Sequence, residues 1–453
     1  MGIIWYNRGM EEQKQTTVSF VSLGCFKNIV DTEVLGGILE KKNIRIVSPY
    51  EQADWVVINT CGFIRDAKDE SLDEIFLALD KKDKGEIKHV AVFGCLMQRY
   101  YDDLKTTFKN ADVIWGVNDL EELADVMANY DKTGDQKKEY TDKKLFLYNH
   151  TYKRIITTTP NVTFIKISEG CNMKCSFCAI PLIRGPYRSR KIDSIVQEAA
   201  KYKSLGIQEL NLVSQNSTYF GKDRGEKSEL PQLLKELSKL GFNGIRVLYL
   251  MPEEVTDEII DAFFYRSIIP YFDLPFQHVS SNLLKWMNRG GGFRENAELI
   301  QKIRKKFKDA VIRTTFIVGF PGETDEDFRQ LLEFARGTGI ERIGVFGYSE
   351  EENTEAFSLE DKVAPEIIEE RKGRLMDVSD VNIEKYNQKL IGSLQDFLPL
   401  GAWDNNSTIG RIKSQAPDTD GLTRVNVPFA DDYTMYRVTI TGFDYELLFG
   451  LKA

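Results

Sequence analysis

The stretch Ser168–Gly185, SEGCNMKCSFCAIPLIRG, places Cys171, Cys175 and Cys178 within eight residues, half of the six cysteines of the chain. It closes the strand-like run TFIKISEG. Further candidate strands follow, ELNLVSQN, GIRVLYL, YFDLPFQ, VIRTTFIVG and RIGVFGY, with helical patterns such as SIVQEAAKYKSL, LPQLLKELSKL and TDEDFRQLLEFARG between them. Six βα units predict a parallel, partial or full barrel, with an open sheet as the alternative. In a barrel the C-terminal strand ends carry the chemistry, so the cysteine loop falls where a reaction centre is expected.

The same alternation holds upstream. TVSFVSLG, ADWVVINT, HVAVFG and DVIWGV read as strands of a parallel sheet, with helices DTEVLGGILEKK, DAKDESLDEIFLALDKK and DLEELADVMAN between and after them. Downstream, Ile368, Leu375, Val378, Tyr386 and Leu390 recur at helical spacing. From about residue 393 the texture changes to short strands with Gly, Asp and Asn turns, which reads as a small antiparallel module, a five-stranded barrel. The chain is therefore α/β throughout with a β module at its end. The expected divisions are a disordered leader over 1–16, a parallel α/β sheet domain over 17–129, a charged linker over 130–145, a partial (βα) barrel over 146–387 and the β domain over 388–453.

Length and composition agree with several soluble domains: 453 residues, 42% hydrophobic and 28% charged. The net charge of −9 argues against a default nucleic-acid binder, which clusters Lys and Arg, and favours a basic partner. No signal peptide and no apolar run of membrane-spanning length is visible. The expected compartment is the cytoplasm, where thiols stay reduced, so three disulfides are a poor use for six cysteines.

Three thiolates in one loop suit a soft or borderline metal. Structural zinc wants four ligands, usually as two separated pairs, whereas an iron–sulfur cube on three cysteines leaves one iron open for substrate or cofactor. Cys25, Cys61 and Cys95 form no local motif, being 36 and 34 residues apart. Each, however, follows a candidate strand of one parallel sheet, and such strands present their C-terminal ends along one edge. Three thiols converging on that edge argue for a second cluster, again with an open iron. Burial of cysteine as a small apolar residue is the plainer alternative.

The spacing Cys-x3-Cys-x2-Cys after a first strand resembles the signature of radical S-adenosylmethionine (SAM) enzymes. The resemblance implies that the open iron on Cys171, Cys175 and Cys178 holds SAM, cleaved to a 5′-deoxyadenosyl radical, with Phe177 near the adenine. With SLGCFKNIVDTEVLGGIL, VVINTCGFIRDAKDES, GCLMQRY and TTFIVGFPGETDEDF, the chain after residue 17 resembles the methylthiotransferases, the last segment matching their TRAM module. This implies two [4Fe-4S] clusters, the one on Cys25, Cys61 and Cys95 carrying the sulfur to be methylated and transferred, and a reductant such as flavodoxin or ferredoxin. One branch of the family modifies a tRNA adenosine. The other modifies the β-carbon of an aspartate in ribosomal protein S-twelve, meeting nucleic acid only as part of the ribosome. DLPFQHVSSNLLKWMNRGG, Phe316 and VFGYSEEENT resemble the second branch, as does APDTDG, Ala416 to Gly421. From Lys389 onward six Lys or Arg face eight Asp or Glu, which suits a basic protein better than tRNA. Glu350, Glu351 and Glu352 are expected to add to that acidic surface. Phe26 stands where the family usually has proline, and Asn216 where the protein-modifying branch commonly has aspartate.

Other residues carry two readings each. Gly319, Gly322 and Glu323 of GFPGET shape a cofactor pocket, or make a tight turn with Thr324 as a helix cap. Gln215 and Asn216 bind polar groups of cofactor or substrate, or do turn chemistry. Arg184, Arg188 and Arg190 meet a substrate carboxylate, or are surface arginines. His278 reads as a hydrogen-bonded strand-end residue and Arg289–Gly292 as a hinge or turn.

Overall fold

The computed structural model describes residues 15–48, 53–133, 140, 145–430 and 433–453. The leader expected over 1–16 and the linker expected over 130–145 lie largely outside these residues.

In the first region, strands Thr17–Ser22, Arg45–Ile46, Trp55–Thr60, His89–Gly94 and Val113–Trp115 pair in parallel, in the spatial order second, first, third, fourth, fifth. The two-residue Arg45–Ile46 edge was too short to show a pattern. Helices Phe26–Lys41 and Leu120–Thr133 cover one face, and Arg65–Asp83 and Cys95–Leu104 the other. With both faces covered, all six residues of Trp55–Thr60 and of His89–Gly94 are buried.

The second region has six parallel strands in sequence order: Val162–Lys166, Glu209–Val213, Gly244–Val247, Tyr271–Asp273, Val311–Val318 and Arg342–Gly347. They form two three-stranded sheets joined by the parallel bridge Ile245↔Ile268. This is a partial barrel, not an open sheet. The 26-residue helix Pro365–Leu390 packs its Leu375 and Val378 into the core outside the strands.

The third region is a closed barrel of five strands, Leu394–Asp404, Ser407–Ile412, Thr423–Val425, Leu447–Lys452 and Tyr436–Asp444. One pairing departs from the antiparallel expectation: Thr423–Val425 runs parallel to Leu447–Lys452, which lets five strands close. No helix of the described residues is long and apolar enough to cross a membrane.

What positions the site is the way the first region sits on the second. Helix Phe26–Lys41 is buried along most of its length even though it carries Lys27, Asn28, Asp31 and Glu33. Those groups are buried because each is paired across the contact. Glu33 pairs with Arg154, which also binds Glu198 at 2.7 Å, and Asp31 pairs with Lys166 and, at 2.6 Å, with Arg184. Phe26 stacks on Phe164 of the first barrel strand, ring centroids 4.3 Å apart, which explains an aromatic at that position. Gly37 lies against the chain at Lys153: a Cβ there would fall 1.9 Å from the Lys153 carbonyl oxygen. The third region docks through Arg411 on Glu209 at 3.0 Å, Arg246 on the Lys413 and Gln415 carbonyls, and Tyr271 donating to Asp420.

Candidate active site

Cys25 precedes helix Phe26–Lys41 directly, Cys61 follows strand Trp55–Thr60, and Cys95 opens helix Cys95–Leu104 after strand His89–Gly94. The last turn is possible because Gly94 takes φ +118°, where a Cβ would strike Thr60. Cys171, Cys175 and Cys178 follow strands Val162–Lys166 and Ser168–Glu169. All six thiols are free, and all six line one cavity of about 640 Å³ between the first and second regions.

Electrostatics sort the thiols into two groups. The Cys61 thiol, pushed up to about 12, is raised first by burial and then by Cys95 and Cys25. Burial also raises Cys95. Cys175 is pushed up to about 11 by burial, with Cys171 adding and Arg289 opposing, and burial raises Cys178 and Cys171 in the same way. Cys25 is the exception. Burial raises it, but Lys27, Arg184 and the backbone N–H groups of Asn28 and Lys27 outweigh burial and lower it.

Among the described residues no three His, Cys, Asp or Glu side chains close around a single ion. The thiols frame a volume, the arrangement a polynuclear cluster needs, where each sulfur takes its own iron. The donor set is soft and made of thiols that a bound metal would deprotonate. The soft thiol set fits an iron–sulfur cluster.

The other singled-out residues divide. Phe177 and Gln215 line the cavity, and Gln215 donates to Glu169 at 3.0 Å. Asn216 is 1% exposed; it caps a short turn through Tyr219 N–H and donates to Glu254 at 2.7 Å. It therefore says nothing about the substrate. Gly319, Gly322 and Glu323 do not line the cavity: Gly319 and Gly322 pack on Ile368 and Trp286, while buried Glu323 accepts from the Gly319 N–H and pairs with Arg371 at 3.4 Å. Thr324 and Asp327 form the capping box of helix Asp325–Thr338. His278 accepts from the Ser280 N–H at 3.0 Å.

Two expectations about charge are corrected. Arg184 and Arg190 are each 3% exposed and held in ion pairs, so neither is a surface arginine free for a substrate. Glu351 is 2% exposed and binds Lys68 at 2.9 Å and Arg99, while Glu352 accepts from Tyr100 at 2.5 Å. Glu351 and Glu352 fasten the second region to the first; Glu351 is lost to the expected acidic surface, while Glu350 and Glu352 stay exposed.

Residues 165–335 match the Radical SAM superfamily and residues 17–116 match Uncharacterized protein family UPF0004. A protein of Syntrophotalea carbinolica named ribosomal protein uS12 methylthiotransferase RimO is 38% identical over 95% of this chain and 96% of its own length. The protein of that name from Clostridioides difficile is 38% identical over 90% and 92%. The chain belongs to the RimO methylthiotransferase family. Its radical SAM region brings with it one [4Fe-4S] cluster and SAM. The fold is also seen in the radical SAM methyltransferase TsrM of Kitasatospora setae, at TM-score 0.53 and 14% identity over 73% of this chain and 72% of that one.

For a member of this family, the cavity walls hold residues that sequence reasoning passed over. Arg289, read as part of a turn, donates to Glu253 at 2.7 and 3.1 Å beside Cys175 and Cys178. Lys27 lies 3.7 Å over the Tyr249 ring. Arg313 donates to Asp273 at 3.1 Å and stands 3.9 Å from Asp420. Strand alternation was the available signal for Arg313, whose neighbours Ile312 and Thr314 point the other way.

Proposed function

We propose that this chain transfers a methylthio group to the β-carbon of an aspartate in ribosomal protein uS12. One cluster is held by Cys171, Cys175 and Cys178 and a second by Cys25, Cys61 and Cys95. The observation that carries this reading is that two separate thiol groups face one cavity. When bound, the clusters and SAM supply the one-electron chemistry and the sulfur.

The chain's own residues do the rest. Burial raises Cys25, but Lys27 and Arg184 outweigh it and favour the thiolate, which suits Cys25 as a donor for the second cluster. Arg289, locked to Glu253, keeps a positive charge beside Cys175 and Cys178. Walls such as Phe177, Met251, Ile317 and Phe346 keep water from a reactive carbon centre. Arg184 is spent on Asp31, Glu169, Asn28 and Cys95, and Arg289 uses Nε and Nη2 on Glu253 and the Pro275 carbonyl. Among the described residues cavity-lining Arg313 makes one hydrogen bond, to Asp273, and with the Nη1 side of Arg289 it offers a guanidinium for the substrate carboxylate. A low-potential reductant such as flavodoxin or ferredoxin completes the set.

The test is anaerobic. The protein is reconstituted with iron and sulfide, reduced, and given SAM with a uS12 loop peptide and a tRNA anticodon stem-loop together. Mass spectrometry is expected to find the methylthio group on the peptide aspartate. Its appearance on the RNA would overturn the reading.

A further inference from the structure

Arg184 ends the short helix Ile180–Arg184, six residues beyond Cys178, yet its guanidinium reaches the other cysteine group. Nη2 donates to Cys95 Sγ at 3.0 Å and to Asn28 Oδ1 at 2.7 Å. Nη1 donates to Asp31 Oδ2 at 2.6 Å and Glu169 Oε2 at 3.3 Å. The adjoining Gly185 carbonyl accepts the Cys171 N–H at 3.1 Å. Two consecutive residues thus hold one cysteine of each group.

We propose that Arg184 is a positioning residue that fixes the two cysteine groups relative to each other and, by donating to the Cys95 sulfur, raises the reduction potential of the cluster held there. The inference rests on the reading that Cys25, Cys61 and Cys95 hold a cluster. An N–H donor and a positive charge beside a ligating sulfur favour the state with the extra electron. A lysine carries the charge, but only the guanidinium fork reaches sulfur and carboxylates together.

The test uses the full chain with Cys171, Cys175 and Cys178 changed to alanine, so that the second cluster is read alone. Iron is counted, and the potential is taken by redox titration followed by electron paramagnetic resonance. Arg184→Gln is expected to make reduction at least tenfold less favourable, a shift of about 59 mV for one electron. Arg184→Lys is expected to recover part of it. The double variant Arg184→Gln/Asp31→Asn keeps the buried charge balance and guards against simple misfolding. It is expected to stay shifted, and its return to the starting potential would overturn the inference. In the otherwise unchanged chain, Arg184→Gln is expected to keep SAM cleavage while methylthio transfer falls at least tenfold. Equal loss of both would reduce Arg184 to a structural residue. Absence of iron from the alanine background overturns the two-cluster reading and this inference with it. Iron present with an unmoved potential overturns this inference alone.

Discussion

The two cysteine groups reach the same cavity by opposite routes. Cys171, Cys175 and Cys178 are neighbours in sequence, carried by one loop after one strand. Cys25, Cys61 and Cys95 are gathered from three strand ends of a parallel sheet, and nothing local joins them. The first group needs only its loop; the second needs its whole domain folded and seated. Damage far from the cavity should therefore reach the second group sooner than the first.

The largest effect should come from removing each group in turn. Changing Cys171, Cys175 and Cys178 to alanine is expected to abolish both formation of 5′-deoxyadenosine and methylthio transfer, read by chromatography and mass spectrometry. Changing Cys25, Cys61 and Cys95 is expected to abolish transfer only. Product from the latter variant would break the comparison.

Next comes the seating of the first region. Arg154 is fully buried between Glu33 and Glu198. Arg154→Ala leaves buried Glu33 without its cation, while Glu198 keeps Arg190, and is expected to cost about 3–5 kcal/mol in denaturant unfolding. Iron bound by the second group should drop before iron bound by the first.

A smaller effect is expected at the glutamate fastening. Glu351→Gln weakens charge-assisted bonds to Lys68 and Arg99, a loss of about 1.5–3 kcal/mol. Transfer should fall and become sensitive to salt while SAM cleavage holds. Salt-insensitive turnover in this variant would show that the fastening does not govern transfer.

The smallest effect on the cysteines should come from the third region. Burial raises the Glu209 carboxyl, but Arg411 and Arg246 outweigh it and hold it below the usual carboxylate range. Its folded value lies under its unfolded value, so its stabilisation is present above the unfolded value and is lost as pH falls through the folded one. Acid titration of the wild type and Glu209→Gln should show this loss in the wild type only, with the iron–sulfur absorbance of the reconstituted protein unaffected near neutral pH.

Much of this was legible in the chain. The six barrel strands, the helix Pro365–Leu390 and the closing β module announce themselves by periodicity, which depends on neighbours in sequence. The local cysteine loop does so for the same reason. The second group was legible through topology alone, once three cysteines were seen to follow strands. What escaped were pairings between distant residues. Glu351 looks like any solvated glutamate until Arg99 is placed beside it, and Arg184 looks like a surface arginine until Asp31 and Cys95 are. Asn216 likewise invited a reading about substrate, yet its carboxamide is spent on a local cap. Net charge pointed to a basic partner, as the uS12 relatives do, but it could not tell an exposed glutamate from Glu351, which is matched inside the protein.

Gly37 sits eleven residues along the helix that starts at Phe26, and it touches Lys153 with no room for a methyl group. The helix behaves as a lever whose far end is Cys25. A graded series at position 37, alanine, serine, then valine, would jack that lever up in steps without touching a single thiol. The gap between the two sulfur groups is thus gauged by the absence of one carbon atom, and the distance over which a methylthio group is handed on can be tuned from a site that takes no part in handing it.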